Sequence, residues 1–408
     1  MVILRHLQKT ATSHPTSFNL QKYNHKRYVL EYRMSKRILI ISHALNRSGA
    51  PMALLQLVKS RSSKNDADIF LLGLRYKDLE YEFAKYVKEV YIVESSPAKN
   101  LLLDIFQRLK AIPKIVKYIA KVKPDIVLIN SAANSRAIVV SKILQKKFNY
   151  KIIVYMHEFK EMFRVFGNIR VITISLADKV IVVNKEQISW LKSKILTVKN
   201  IKVIPNSINK SDVEKLLKAE PENDFLKFIN KFDFLISNIG IMTQRKGYDL
   251  YARIIADMSR YKDIGFVIIG DFAKEEDKNT FLKIVNENKL LDRVYITGIT
   301  DNVFKYLKYT DVTAITSRSE TFSRVALESM MLGKPVVAFD IPALRHVLPR
   351  NYPFFVKAFN TEEFIDKLIY IKNENRDSLD KLKKELVLQA DNFSTEKIAK
   401  IFWDEINA

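Results

Sequence analysis

The sequence predicts an α/β protein made of two doubly wound, Rossmann-like units that face each other across a cleft. Three observations predict it. From Lys36 onward, short apolar runs alternate with longer helical patterns, as in parallel sheets joined by crossover helices. A polar stretch over roughly 207–232, with Lys210-Ser-Asp212 and Ala219-Glu-Pro-Glu-Asn-Asp224, interrupts that alternation and reads as a hinge region. Beyond it the alternation starts again.

Residues 1–34 lack the pattern, hold no acid before Glu31, and read as a basic, poorly ordered arm. Met34-Ser-Lys-Arg-Ile-Leu-Ile-Ile also reads as a natural start running into the first strand, with Met1 an upstream start; a targeting peptide is a further reading. Residues 35–206 form the first domain, with strands expected at Ile38–Ser42, Ile69–Leu72, Val90–Val93, Ile126–Ile129, Ile152–Met156, Val180–Val183 and Ile201–Ile204. Residues 207–393 form the second, with strands at Phe234–Asn238, Gly265–Ile269, Val294–Thr297, Val312–Thr316 and Pro335–Phe339. In such sheets, ligands bind beyond the carboxyl ends of the strands.

Composition narrows the classes. The 408 residues suffice for two full cores, and 48% hydrophobic with 28% charged residues is a globular balance. The absence of cysteine excludes disulfide scaffolding and thiolate metal sites. No apolar run approaches the roughly 18 residues that span a bilayer. Charge is uneven: residues 1–206 hold 37 Lys and Arg against 14 Asp and Glu, whereas residues 207–408 hold 31 of each. The whole net charge of +23 thus lies on the first half, which suits an anionic partner, a membrane surface or a nucleic acid. Lysine-rich codon usage is the bland alternative, and the neutral second half argues against it as the full cause. The segment Arg108–Lys123 is basic and amphipathic: Lys110, Lys114, Lys117 and Lys121 share one face, Ile112, Ile115, Val116 and Ile119 the other. An ordinary sheet-covering helix with lysines outside, and a lipid-facing one, are both compatible with that pattern.

The most informative stretch is Ser317-Arg-Ser-Glu320-Thr-Phe-Ser-Arg324-Val-Ala-Leu-Glu328, followed by Gly333-Lys-Pro335-Val-Val-Ala. Glu320 falls at the strand-to-helix turn and Glu328 about two turns further along; eight positions on a helix return them to nearly one face about 12 Å apart. Acids on one face, over a turn whose free N–H groups favour anions, suit a ligand with a sugar, phosphates and a ribose in line. A solvated amphipathic helix is the alternative. Gly49, before a helix opened by Pro51, lets backbone approach a phosphate or sugar, or serves only the turn. Asp66-Ala-Asp68 has the form of a metal-binding pair but sits far from these motifs and reads as a surface accident. With no His/Cys cluster either, no metal is expected.

The block from Ser317 to Asp340 resembles the donor-site signature of the family 4 retaining glycosyltransferases, two-domain enzymes of GT-B architecture. Gly240-Ile-Met-Thr-Gln-Arg245-Lys246-Gly247 resembles that family's glycine-to-Lys-Gly loop, and Val203-Ile-Pro-Asn206-Ser207 its hinge entry. His157-Glu158 resembles its acceptor-side histidine, and Ser42-His43-Ala-Leu-Asn-Arg-Ser48-Gly49-Ala-Pro51 its first strand-loop-helix. The resemblance implies a metal-independent hexosyltransferase of polysaccharide synthesis, using a UDP- or GDP-sugar as co-substrate and no cofactor. It implies an acceptor domain first and a donor domain second, with a C-terminal helix (394–408) packing back on the first. His157 and Glu320 would be the catalytic pair. Arg245 and Lys246 would neutralise the diphosphate. Backbone N–H groups of Thr321, Phe322 and Ser323 would hold phosphate, Glu328 would accept the ribose hydroxyls, and Gly49 would border the donor. The acceptor would be a glycan or lipid-linked glycan at the inner face of a bacterial membrane, with the protein cytoplasmic, peripheral and free of nucleic acid. Thr321 stands where the family commonly has glycine, and three further places depart from it: Ile241 stands where it has arginine, Pro342-Ala343 where it has Gly-Gly, and His346 where it has glutamate. They motivate a second reading, a non-catalytic GT-B scaffold or glycan-binding partner. A nucleic-acid-binding protein and a nucleotide-sugar epimerase are further alternatives.

Overall fold

The computed structural model describes residues 35–61, 67–93, 101–158, 167–194 and 200–408. The arm 1–34 and Asp66 therefore lie outside the described residues, while Asp68 is paired at the surface with Lys88 at 2.8 Å.

Two parallel sheets organise the chain. The first is built from β1 (Lys36–Ser42), β2 (Ala67–Gly73), β3 (Glu89–Ile92), β4 (Ile126–Asn130), β5 (Lys151–Met156), β6 (Lys179–Val182) and β7 (Ile201–Val203), in the order β3-β2-β1-β4-β5-β6-β7. The second is built from β8 (Phe234–Ile239), β9 (Ile264–Ile269), β10 (Val294–Ile296), β11 (Val312–Ile315), β12 (Val336–Phe339) and β13 (Phe355–Val356), in the order β10-β9-β8-β11-β12-β13. In each sheet the order reverses beside the first strand, so a crevice opens between β1 and β4 and between β8 and β11.

Central strands read as unbroken apolar runs because helices cover both faces. In β1, Ile38 and Ile40 enter one buried cluster while Leu39 and Ile41 enter the other, the alternation that a pleated strand imposes. The first of these clusters continues through the second sheet, so the two units share one core.

The connection is double. Ile208 lies beside Ser394, with Ile208 N–H donating to Phe393 (3.0 Å) and Thr395 N–H to Ile208 (3.0 Å). After this crossing the helix Thr395–Asn407 packs on the first unit's helix Gly49–Arg61. There the Trp403 indole donates to Leu57 (2.9 Å), and the Arg61 guanidinium lies over its ring at 4.5 Å. Glu405 draws in Lys179 (3.1 Å) and Lys202 (3.0 Å).

The basic amphipathic segment lies in the helix Leu101–Val122. Its buried side is Ala111, Ile115, Tyr118, Ile119 and Val122; Val116, assigned to that side from spacing, is exposed. Of the four lysines, Lys114 is tied to the Val93 carbonyl and Lys121 to Glu89; Lys110 and Lys117 are exposed. Among the described residues, no helix is long and apolar enough to cross a membrane.

Candidate active site in the cleft

On the first unit, β1 ends at Ser42 and the chain turns into the helix that starts at Gly49. A Cβ on Gly49 would meet no protein atom within 4 Å, because the residue borders open cleft. His157 follows β5, its ring against Tyr155 at 4.1 Å between centroids and its Nε2 3.0 Å from the side-chain oxygen of Asn130. Burial pushes the His157 imidazole down to about 4, with Glu158 opposing and His43 adding to the fall. Glu158 is held by the Ser131 hydroxyl and the Ala132 N–H (3.0 Å).

On the second unit, the loop after β8 carries Arg245 and Lys246 and ends at Gly247. That residue has φ +74°, and a Cβ there would stand 2.1 Å from the Thr316 carbonyl oxygen, so only glycine lets the loop approach β11 this closely. Arg318 clamps the same loop with paired 2.7 Å bonds to Asp249. Lys246 and Arg245 converge on Glu320: Nζ lies 2.6 Å from one carboxylate oxygen and Nη1 3.0 Å from the other, with the Ser317 hydroxyl at 2.8 Å. Burial pushes the Glu320 carboxyl up, but Lys246 and Arg245 outweigh it and hold the group below its usual range.

The helix bearing the second acid is Arg324–Met331. Glu320 precedes it by four residues, so the equal-face argument drawn from the eight-residue spacing does not describe this geometry. A loop, not a helix face, sets Glu320. Ser323 caps the helix, its hydroxyl accepting from Ala326 N–H at 3.2 Å. Phe322 is buried against Phe393, and the Thr321 carbonyl accepts a bond from Asn184 of the first unit. The backbone amides of Thr321, Phe322 and Ser323 make no hydrogen bond among the described residues. Glu328 is buried beside Arg324 at 3.3 Å; burial raises its carboxyl above the usual range despite that cation.

Two adjoining cavities result. One, of about 360 Å³, lies between His43, His157 and Glu158 on one side and Arg245, Glu320 and Thr321 on the other. The other, of about 280 Å³, is lined by Glu328, Gln56, Asn209, Thr300, Asp301 and Phe304. Ser48, Gly49 and Arg324 border both, which makes them two compartments of one cleft. Arg245 lines the first; Lys246 reaches it only through Glu320.

Residues 220–387 match the family model of glycosyl transferases group 1. This part of the chain is a group 1 glycosyl transferase domain. The O-antigen biosynthesis glycosyltransferase WclY of Escherichia coli is 25% identical over 89% of this chain and 96% of its own length. An uncharacterized glycosyltransferase of Methanocaldococcus jannaschii is 29% identical over 62% of this chain and 64% of its length. Among solved structures, Anabaena HepE in complex with UDP and glucose superposes with a TM-score of 0.73 at 17% identity, over 91% of this chain and 99% of that one. The chain has the GT-B fold.

The glycosyltransferase cleft also contains residues that the sequence motifs did not single out. Arg324 stands between its two compartments, and buried Asn130 at the end of β4 and Asn184 just after β6 stand behind its lining, bonded to His157 and to the Thr321 carbonyl. Nothing in the spacing of Asn130 or Asn184 marks them; Arg324 stood inside the quoted signature without a role. Of the three departures, Ile241 is exposed, Pro342 opens the short helix Pro342–Arg345, and His346 contacts Glu186 of the first unit.

Proposed function

We propose that the chain transfers a hexosyl group, with retention of anomeric configuration, from a UDP- or GDP-sugar to a glycan or lipid-linked glycan in surface polysaccharide synthesis. The observation that carries this reading is the cleft itself, where Arg245 and Glu320 of one unit, with Lys246 behind them, face a neutral histidine of the other, and the largely buried Glu328 lines the adjoining compartment. Glu328, costly to ionise where it stands, is suited to accept a pair of ribose hydroxyls that restore its lost hydration. Arg245, backed by Lys246, is placed to offset the charge that develops on a departing diphosphate. These cations take the part a divalent metal plays elsewhere, so chelation with EDTA leaves transfer unchanged. Retention follows from front-face substitution, in which the leaving diphosphate helps deprotonate the acceptor.

The reading includes an anionic bilayer at the cytoplasmic face. Exposed Leu109 and Ile143 stand on helices of the first unit that also present Lys117 and Lys146, with exposed Ile172 on a third helix, and each lysine near an anionic leaflet adds about 1 kcal/mol. Co-sedimentation with vesicles containing phosphatidylglycerol, but not with neutral ones, is the expected result. Thermal shift with UDP, GDP and ADP tests the donor site. A ligand at 100 times its dissociation constant adds about 2.7 kcal/mol, so one nucleotide should raise melting clearly. No shift with any of them favours the non-catalytic scaffold that Ile241, Pro342 and His346 suggest.

A further inference from the structure

We infer that Asn130 is a positioning residue that fixes His157 as its Nε2–H tautomer and leaves the Nδ1 lone pair as the hydrogen-bond acceptor on the first unit's side of the cleft. The assignment follows from the donors and acceptors around one amide. Ser42 donates its hydroxyl hydrogen to the Ala44 carbonyl at 2.8 Å, so toward Asn130 its oxygen can only accept. The Ala50 carbonyl can only accept as well. Both lie 3.3 Å from the Asn130 side-chain nitrogen. Turning the amide over would set its oxygen against two acceptors, so the nitrogen faces Ser42 and Ala50 and the oxygen faces His157.

That oxygen, 3.0 Å from Nε2, requires a proton there. A buried imidazole that titrates near 4 carries a single ring proton at neutral pH. Nδ1 is therefore bare, and it makes no hydrogen bond among the described residues. The charged and titratable groups around His157 are Glu158, whose carboxylate is spent on Ser131 and Ala132, His43, and across the cavity Arg245, Glu320 and Arg324. None of them is bonded to the ring. Ala50 follows Gly49, so the same amide couples the mouth of the first helix to the orientation of His157. A hydroxyl of the transferred sugar or of the acceptor is the group such a lone pair would take. That last step rests on the proposed transferase reading, whereas the tautomer does not.

The test is ¹⁵N-histidine NMR of the full chain at neutral pH, with His157→Gln to assign the signal. The expected spectrum shows His157 protonated at Nε2. In Asn130→Asp one carboxylate oxygen still accepts from Nε2 while the Ser42 hydroxyl turns from Ala44 to donate to the other, at a cost in stability from the Ala50 carbonyl, so the tautomer is kept and the titration midpoint rises by about one to three pH units. In Asn130→Ala the tautomer preference is lost. A wild-type signal protonated at Nδ1 overturns the inference even if neither variant folds. So does an Asn130→Ala spectrum identical to wild type. Nucleotide binding is read separately by thermal shift, so a protein with the Nε2–H tautomer and no nucleotide response would refute the transferase reading and leave Asn130 in its role.

Discussion

Replacing Glu320 by Gln separates what this carboxylate does for the empty fold from what it does for a ligand. Its side chain is only 7% exposed and receives Lys246 at 2.6 Å, Arg245 at 3.0 Å and Ser317 at 2.8 Å. Glutamine keeps the volume and one carbonyl acceptor but removes the charge. Lys246, 16% exposed, then loses its counter-ion; Arg245, 46% exposed, is hydrated and screened. Breaking a buried pair costs about 3–5 kcal/mol and an exposed pair about 0–1, and the retained carbonyl sets the expectation near 3 kcal/mol. At roughly 2 °C per kcal/mol for a fold of this size, melting should fall by about 6 °C. The same change should strengthen anion capture, because pyrophosphate would meet two cations already released. Differential scanning fluorimetry in a pyrophosphate series is the assay, with a larger gain expected for Glu320→Gln than for wild type. The folded carboxyl titrates below its unfolded value, so its contribution is present above the ordinary glutamate range and fades as pH falls through the folded value. The difference between the proteins should close in acid. An unchanged melting temperature, or a smaller pyrophosphate gain in the variant, would refute the reasoning.

Glu328→Gln should act in the opposite sense on the empty protein: its raised carboxyl makes ionisation costly at neutral pH, so the variant melts higher while its response to the binding nucleotide, measured by calorimetry, weakens at least tenfold, or about 1.4 kcal/mol. Gly49→Ala should leave chemical denaturation unchanged, since its Cβ meets open space, yet weaken nucleotide binding; Gly247→Ala should lose about 2 kcal/mol or more, from left-handed strain and the contact with Thr316. His157 remains neutral when buried, so its contribution is complete above about 6.5 and is lost as pH falls toward 4; urea midpoints across that window should flatten in His157→Gln, by up to about 3 kcal/mol.

Strand existence was legible because buried parallel strands must be apolar throughout, and runs such as Ile38–Ser42 and Gly265–Ile269 have no other reading at that length. β13 escaped because two paired residues, Phe355 and Val356, carry no period, and Pro353 just before them reads as a loop. The loop residues Arg245, Lys246 and Glu320 were legible as a set through their signatures, but not their mutual pairing. That arises when Gly247 lets two loops from different strands meet. Glu320 stands at the strand-to-helix turn as its sequence position suggests, but the equal-face argument counted both acids on one helix, whereas Ser323 caps a helix that begins only at Arg324. Asn130 was invisible for a different reason. An asparagine ending an apolar strand is ordinary, and its role appears only once Ser42, Ala50 and His157, from three separate segments, surround it.

The departures from the family pattern in the second unit are accommodated by the fold. A glutamate at position 346, as in the family pattern, would face Glu186 across the domain boundary, two carboxylates in hydrogen-bonding range and mutually repulsive. Histidine turns that contact into an attraction, on the same helix start of the first unit where Asn184 holds the Thr321 carbonyl. Pro342 suits the first position of its short helix, where no N–H is needed, and Arg345 at the helix end returns to Asp340. Arg245, four residues beyond the family's arginine position, reaches Glu320 and lines the cavity from there, while Ile241 is left to solvent. Each departure thus has a contact or an exposed position that accommodates it, and His346 adds a contact that braces the second unit against the first.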